Sequence, residues 1–230
     1  MTIGIIGAMV QEIELYKKEM NITGETHKAG IIYYEGTLNG KEIVLCKSGV
    51  GKVNASVCTQ IMIDGFNVES VIFTGVAGAL HPELEIGDIV VSTDSQHHDM
   101  DASPLGFAKG TIPYSDKSLF EADEKLVELA VKASESLGEG KTVVGRVLSG
   151  DQFIASRRVV QQLHEEMEGT CTEMEGAAVA QVCHMNQVPY VIIRSMSDKA
   201  DGSAHVNFEE FTNLASHRSF QIVNTMLELM

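Results

Sequence analysis

The chain has 230 residues, 44% of them hydrophobic. That is enough for one sizeable core, since single domains grow to about 250 residues before splitting. A formal charge of −15 and a pI near 4.9 exclude polyanionic partners, because DNA, RNA and anionic membrane faces would be repelled. No apolar run approaches the ~20 residues that span a bilayer. The tract TIGIIGAM has no basic leader and runs straight into QEIELYKKEM, so it does not read as a signal peptide. Cys46, Cys58, Cys171 and Cys183 lack CxxC spacing and lie mostly in apolar tracts, as expected of small buried hydrophobes in a reducing cytoplasm.

Short apolar runs broken by glycine alternate with stretches of helical period, the pattern of a mostly parallel sheet wrapped by helices. In chain order, a strand at 3–7 leads into a helix at 11–20, and strands at 31–37 and 42–47 precede a helix at 53–65. Strands at 70–74 and 88–93 precede a helix at 123–137. A strand at 142–149, a helix at 156–166, a strand at 170–174, a helix at 176–186, a strand at 190–195 and a long amphipathic helix at 208–229 complete the series. Eight strands in one domain spanning 1–230 predict a large, barrel-like sheet. Between Ser95 and Glu121 lies a segment with two prolines, two glycines and no clear period. It is too long for an ordinary connection and predicts a functional loop.

Standard nucleotide templates fail. GIIGAM is not GxGxxG, and SGVGKVNA places Val53 where a phosphate-binding P-loop requires Ser or Thr. These glycines serve tight strand-to-helix turns or a backbone nest close to a ligand. His97 and His98, followed by Asp99 and Asp101, have the residue types of metal ligands, but neighbours on an extended segment point to opposite faces. A structural or solvent role is the expectation, and no metal is expected. HExxH and GxSxG are absent, LSGDQF being the nearest to the latter.

Three carboxylates stand out by placement. In open α/β sheets the ligand crevice lies outside the carboxyl ends of the strands. Asp198 closes VPYVIIRSMSD, Glu175 follows the strand in CTEMEGAAVA, and Glu12 follows TIGIIGAM. A lone acid in so acidic a chain is ordinarily solvated. Each of these three instead follows a hydrophobic strand and is closely preceded by methionine (Met9, Met174, Met196), although methionine there also serves as core filler.

The stretches IGIIGAM with Glu12, SGVGKVNA, TGVAGAL, GDIVVS, SGDQFI, EMEGAAVAQVCH and VIIRSMSD resemble, in order and spacing and nearly from end to end, the methylthioadenosine/S-adenosylhomocysteine nucleosidases of the nucleoside phosphorylase superfamily. The resemblance implies an α/β fold, a single-domain three-layer sandwich with a central mixed, partly barrel-like sheet flanked by helices. It implies a cofactor-free homodimer that hydrolyses the N-glycosidic bond of an adenine nucleoside, in salvage and in removal of by-products of S-adenosylmethionine use. Carried over by position, Asp198 would be the general acid at purine N7, with Ser197 steadying it. Glu12 would orient or deprotonate the attacking water, Arg194 would help to hold that water, and Glu175 would grip the ribose hydroxyls. Met174 would pack on the ribose, Phe153 would stack on adenine, and the backbone of Ile154 would read its Watson–Crick edge. Glu173 and Val76 count among the substrate-binding positions. Met9, Val50 and Phe208 would line the slot for the thioether substituent, while Pro113 would reach the partner subunit's pocket.

The chemistry imposes its own demand. An ordinary aspartate ionises near pH ~3.9, so donation near neutrality asks the site to favour its protonated form by about 4 kcal/mol. Lys199, directly after Asp198, would oppose this if it faced the site. The resemblance also carries departures. Related nucleosidases usually have serine at Val76 and bulkier apolar residues at Ala102 and Leu105, which predicts an altered pocket. Hexameric purine phosphorylases carry arginine and serine where this chain has Phe73 and Val76, so hydrolysis is expected over phosphorolysis. The alternatives are a phosphate-dependent phosphorylase and a nucleoside-binding sensor with reduced catalysis.

Overall fold

The computed structural model of the chain describes residues 1–138, 140–200 and 204–230, the last segment without the side chains of 204–207, 209 and 210. Its centre is a mixed sheet built from β1 (Thr2–Gly7), β2 (Asn21–Lys28), β3 (Ile31–Leu38), β4 (Lys41–Lys47), β5 (Ser70–Ala79), β6 (Ile89–His97), β7 (Phe120–Glu121), β8 (Thr142–Ser149), β9 (Gly169–Glu173) and β10 (Tyr190–Asp198). The helices are α1 (Val10–Glu19), α2 (Lys52–Phe66), α3 (Glu124–Leu137), α4 (Arg157–Met167), α5 (Gly176–Asn186) and α6 (Ala204–Leu229).

Strand order explains the shape. The path runs β10-β6-β8-β9-β5-β1-β4-β3-β2, and β10 also pairs with β5. The five strands β5, β10, β6, β8 and β9 therefore close into a ring, while β1, β4, β3 and β2 continue from β5 as an open wing. The sheet is mixed: β1 runs parallel to β4 and β5, whereas β10 runs antiparallel to β6 and β9 antiparallel to β5. Closure removes the edges within the ring, leaving β2 as the edge of the wing.

Alternation along the central strands builds the two outer layers. Ile6, Val44, Cys46, Val71, Phe73 and Ile192 face α2 and α5, whereas Ile3, Ile5, Ile43, Leu45, Ile72 and Ile193 face α1, α3 and α6. A period of two in strands buried on both faces produces the continuous Val/Ile-rich runs seen in the sequence. The four cysteines are all buried and free, with Cys46 Sγ and Cys58 Sγ 2.8 Å apart. Asp123 caps α3 by accepting from Leu126 N at 3.0 Å. Among the described residues, no helix is long and apolar enough to cross a membrane.

Several sequence expectations need correction. The described residues form ten strands rather than eight. β2 escaped because NITGETHK is polar and mostly exposed on both faces; an edge strand held by pairing to β3 has no burial pattern to read. β7 is only two residues long. β6 continues to His97 instead of stopping at Thr93, because Asp94 is held by Arg146 Nε at 2.6 Å and β8 pairs alongside as far as Ser149. The irregular segment is correspondingly shorter than 95–121 and contains a 3₁₀ turn at Ser103–Leu105. β5 likewise runs on to Ala79 instead of stopping at Thr74, buried throughout.

Candidate active site

The carboxyl ends of β1, β4, β8, β9 and β10 and the second half of β5 surround a cavity of about 290 Å³. It is lined by Met9, Glu12, Val50, Val76, Phe153, Ile154, Glu173, Met174, Glu175, Ser197, Asp198 and Phe208 from the sequence-derived set, and by Ala8, Ala77, Gly78, Gln152 and Thr172.

Glu12 reaches the cavity from the first turn of α1. Its Oε2 accepts from Ala8 N at 2.6 Å and Met9 N at 2.9 Å, and its Oε1 from Val76 N at 2.9 Å. The helix start thus holds its own carboxylate against orphan amide donors, as helix amino termini do. Burial lifts Glu12 above the ordinary carboxylate range, with Arg194 and the three amides pulling the other way. Gly75 makes this approach possible. It sits at φ 157°, and a Cβ there would lie 2.1 Å from Glu12 Oε1 and 2.7 Å from Arg194 Nη1.

Glu173 and Glu175 flank the start of α5. Glu173 accepts from Gly176 N at 2.9 and 2.8 Å, and is also bound by Ser149 Oγ and Arg194 Nη2. Glu175 Oε1 accepts from Gly51 N at 2.8 Å. Its carboxyl is pushed up to about 8, first by burial and then by Glu173, against Arg194 and the Gly51 amide. Arg194 lies beneath the cavity rather than in its lining. It is 1% exposed, with its guanidinium 3.9 Å from the centre of the Phe73 ring. Burial works against its charge, but Glu173, Glu12 and Glu175 outweigh that and hold it protonated.

Asp198 is the last residue of β10 and is delivered by a bulge. Met196 pairs with Ala77 and Asp198 with Gly78, leaving Ser197 as an extra residue. In unbroken register Asp198 would share the face of the core residue Met196; the bulge turns it to the other side. Asp198 is buried, with Oδ2 accepting from Ser197 Oγ at 2.9 Å and Oδ1 from Ala200 N at 2.7 Å. Lys199 points elsewhere, its Nζ 2.6 Å from Glu85 Oε1, so its charge is spent on the surface.

The rim is apolar and open. Val50 is 50% exposed and Phe153 49% exposed, the latter packed edge-on against Phe208 with ring centres 5.7 Å apart. Ala102, Leu105 and Pro113 do not line the cavity of their own chain, and Leu105 is 68% exposed. His97 Nε2 meets Gln181 Oε1 at 3.0 Å, Asp99 binds Lys52, and Asp101 accepts from Ser103 N. These residues diverge instead of converging on a metal, and no cluster of three or more candidate ligands occurs among the described residues.

Comparison with known proteins matches the chain to one superfamily. The model of the Phosphorylase superfamily matches residues 2–228. A 5'-methylthioadenosine/S-adenosylhomocysteine nucleosidase of Actinobacillus succinogenes is 42% identical over 229 residues, covering 99% of this chain and 98% of that protein. The chain belongs to the 5'-methylthioadenosine/S-adenosylhomocysteine nucleosidases of the phosphorylase superfamily. The nucleosidase of Neisseria meningitidis, solved in complex with methylthio-immucillin-A, superposes with a TM-score of 0.95 at 39% identity, covering 100% of this chain and 99% of that one. Futalosine hydrolase of Helicobacter pylori, at 34% identity and 100% and 98% coverage, superposes with the same TM-score.

Of the lining residues not foreseen, Ala77 and Gly78 lie beyond the expected strand end at 74. Recognising that the buried strand continues past it would have found them. Gln152 adjoins Phe153 in SGDQFI and was within reach of the motif. Ala8 and Thr172 carry no signal of their own.

Proposed function

We propose that this nucleosidase cleaves 5'-methylthioadenosine and S-adenosylhomocysteine with water, releasing adenine and a 5-thio-substituted ribose. The observation that carries this reading is the composition of the cavity lining. Glu12, Glu173, Glu175 and Asp198 line it, and no lysine, arginine or histidine does so among the described residues. A phosphate dianion would meet carboxyl groups and no counter-charge in this lining, whereas water needs none. Arg194, the nearest buried cation, is committed to Glu173 and to the Phe73 ring. In their ionised form, carboxylates beside the ribose favour positive charge developing at the anomeric carbon as the glycosidic bond breaks, and preorganised charge of this kind is often the largest catalytic term.

In this reading Asp198 protonates the departing purine, with Ser197 holding the carboxyl. Glu12 orients the attacking water and Glu175 takes the ribose hydroxyls. Arg194 acts from beneath, offsetting Glu12 and anchoring Glu173. Phe153 and Ile154 receive adenine, Met174 packs on the ribose, and Met9, Val50 and Phe208 take the 5'-substituent. The half-exposed rim fits completion by a second copy of the chain, whose Ala102, Leu105 and Pro113 would cover it in a homodimer. We place the enzyme in the reducing cytoplasm, a reading supported by its four buried free thiols. Adenine release from 5'-methylthioadenosine in phosphate-free buffer tests the function. Free 5-methylthioribose, formed at a rate indifferent to added phosphate, is expected. A phosphorylated sugar would make the chain a phosphorylase, and tight binding without turnover would make it a sensor. A panel of 5'-substituted adenosines then ranks the substituent.

A further inference from the structure

Two motifs are not absorbed by the groups that touch the nucleoside: the Gly51-Lys52 start of α2 and the Asp99 that follows the histidine pair. They meet outside the cavity wall. Lys52 Nζ lies 2.5 Å from Asp99 Oδ1, and Lys52 N donates to Asp151 Oδ1 at 2.8 Å. Asp99 Oδ2 closes the ring by accepting from Asp151 N at 2.9 Å. Three chain segments are thereby pinned at one point: the entry to α2, the segment after β6, and the turn after β8. The two charged side chains are only 21% and 15% exposed, so solvent screens them far less than a surface pair. Glycines permit the crossing. A Cβ on Gly150 would lie 2.4 Å from the His98 ring, and Gly51 adopts φ 99°.

Each pinned segment leads directly into the cavity. Gly51, adjacent to Lys52, gives its amide to Glu175, while Val50 lines the rim. Asp151 precedes Gln152, Phe153 and Ile154, which form the wall assigned to adenine. We infer that Lys52, through Asp99 and Asp151, is a positioning residue for nucleoside binding that holds the adenine wall and the Glu175 donor in one geometry. This inference rests on the nucleosidase reading for the identity of the ligand. Lys52 touches no reacting atom. Its loss therefore falls on binding: the wall must be reordered around each incoming nucleoside, and that ordering is subtracted from affinity. The general acid is held separately, by Ser197 and Ala200.

The test is a kinetic and calorimetric comparison of wild type with Lys52→Met, Lys52→Arg, Asp99→Asn and the Lys52→Met/Asp99→Asn pair. Lys52→Met is expected to raise KM for 5'-methylthioadenosine and weaken adenine binding about tenfold, within the range for members of one hydrogen-bonded network. Its kcat should stay within about threefold of wild type, and Lys52→Arg should recover most of the loss. The double variant should be no worse than the poorer single one, because either change opens the same ring. Unchanged KM and adenine affinity, a loss confined to kcat, or losses that simply add would each overturn the inference. Asp99→Asn carries the same expectations if Lys52→Met does not fold. Should wild type prove inert toward 5'-methylthioadenosine, the functional reading fails, while the adenine affinities of these variants still decide the clamp.

Discussion

The floor of the cavity and its rim are built on opposite principles. On the floor, Glu12, Glu175, Asp198 and Arg194 are 5%, 5%, 3% and 1% exposed, and every carboxylate already holds a donor from its own chain. On the rim, Val50 and Phe153 are about half exposed and offer apolar surface with nothing of their own chain to cover it fully. Folding has therefore already met the cost of burying and orienting these ionisable groups, the kind of preorganisation that spares reorganisation at the moment of reaction. The apolar surface is left for ligand or partner to bury, and burial at roughly 25 cal/mol per Å² supplies affinity. On the proposed reading, chemistry is preset below and selection happens above.

That contrast is open to direct attack. The largest effect is expected for Asp198→Asn, which removes the proton from a group that keeps its shape. Adenine release should fall by on the order of 10³-fold, within the span for positioned acid catalysis, with calorimetric nucleoside affinity little changed. Near-normal turnover would remove Asp198 from its role. Next, Arg194→Met leaves Glu173 buried without its counter-charge, a class of change that costs about 3–5 kcal/mol, or roughly 10 °C of thermal midpoint for a chain this size. Adding Glu173→Gln should restore part of that stability, and failure to do so would mean that packing on Phe73 matters more than charge.

A smaller effect follows from pH. The Glu175 carboxyl, at about 8 in the folded chain against an ordinary 4.5, retains a proton that the unfolded chain has lost between those values. The ligand-free fold should accordingly lose stability as pH rises through this window and level off above it. Glu12 is shifted in the same direction. Thermal melts at about pH 5 and about pH 8 should show a decline that Glu175→Gln flattens; an unchanged slope would assign the effect to other groups. The smallest change is expected at the rim. Phe153→Ala should weaken adenine binding by about 1 kcal/mol, the scale of one aromatic contact, and leave stability within about 0.5 kcal/mol. A large stability loss there would erase the distinction between floor and rim.

Legibility in the sequence followed the same division. Strands such as 3–7 and 42–47, and helices with an apolar stripe, were readable to within a residue or two at most ends, whereas the buried β5 and β10 run past their expected ends at 74 and 195 to Ala79 and Asp198. Polar β2 was not readable, since its stability comes wholly from pairing with β3. The three acids at strand ends were legible because a carboxylate directly after a hydrophobic run is chemically conspicuous. The distinction between Glu173 and Glu175 was not: they are two residues apart, yet one is bound by Arg194 and Ser149 while the other accepts from a distant glycine amide. Lys199 was equally ambiguous until its pairing with Glu85 showed which way it points.

By itself, then, the order of residues determined the alternation of strands and helices, the buried faces, and which acids end up at the carboxyl side of the sheet, because these depend on periodicity and local hydrogen bonding. Closure of the ring by β5 and β10, the bulge that turns Asp198 toward the cavity, the placement of Arg194 beneath three carboxylates and the Lys52–Asp99 clamp were decided only by tertiary structure. Each joins groups well separated along the chain, with the bulge set by the pairing of β10 on β5, and the energy of such contacts depends on distance and burial that spacing along a chain does not encode.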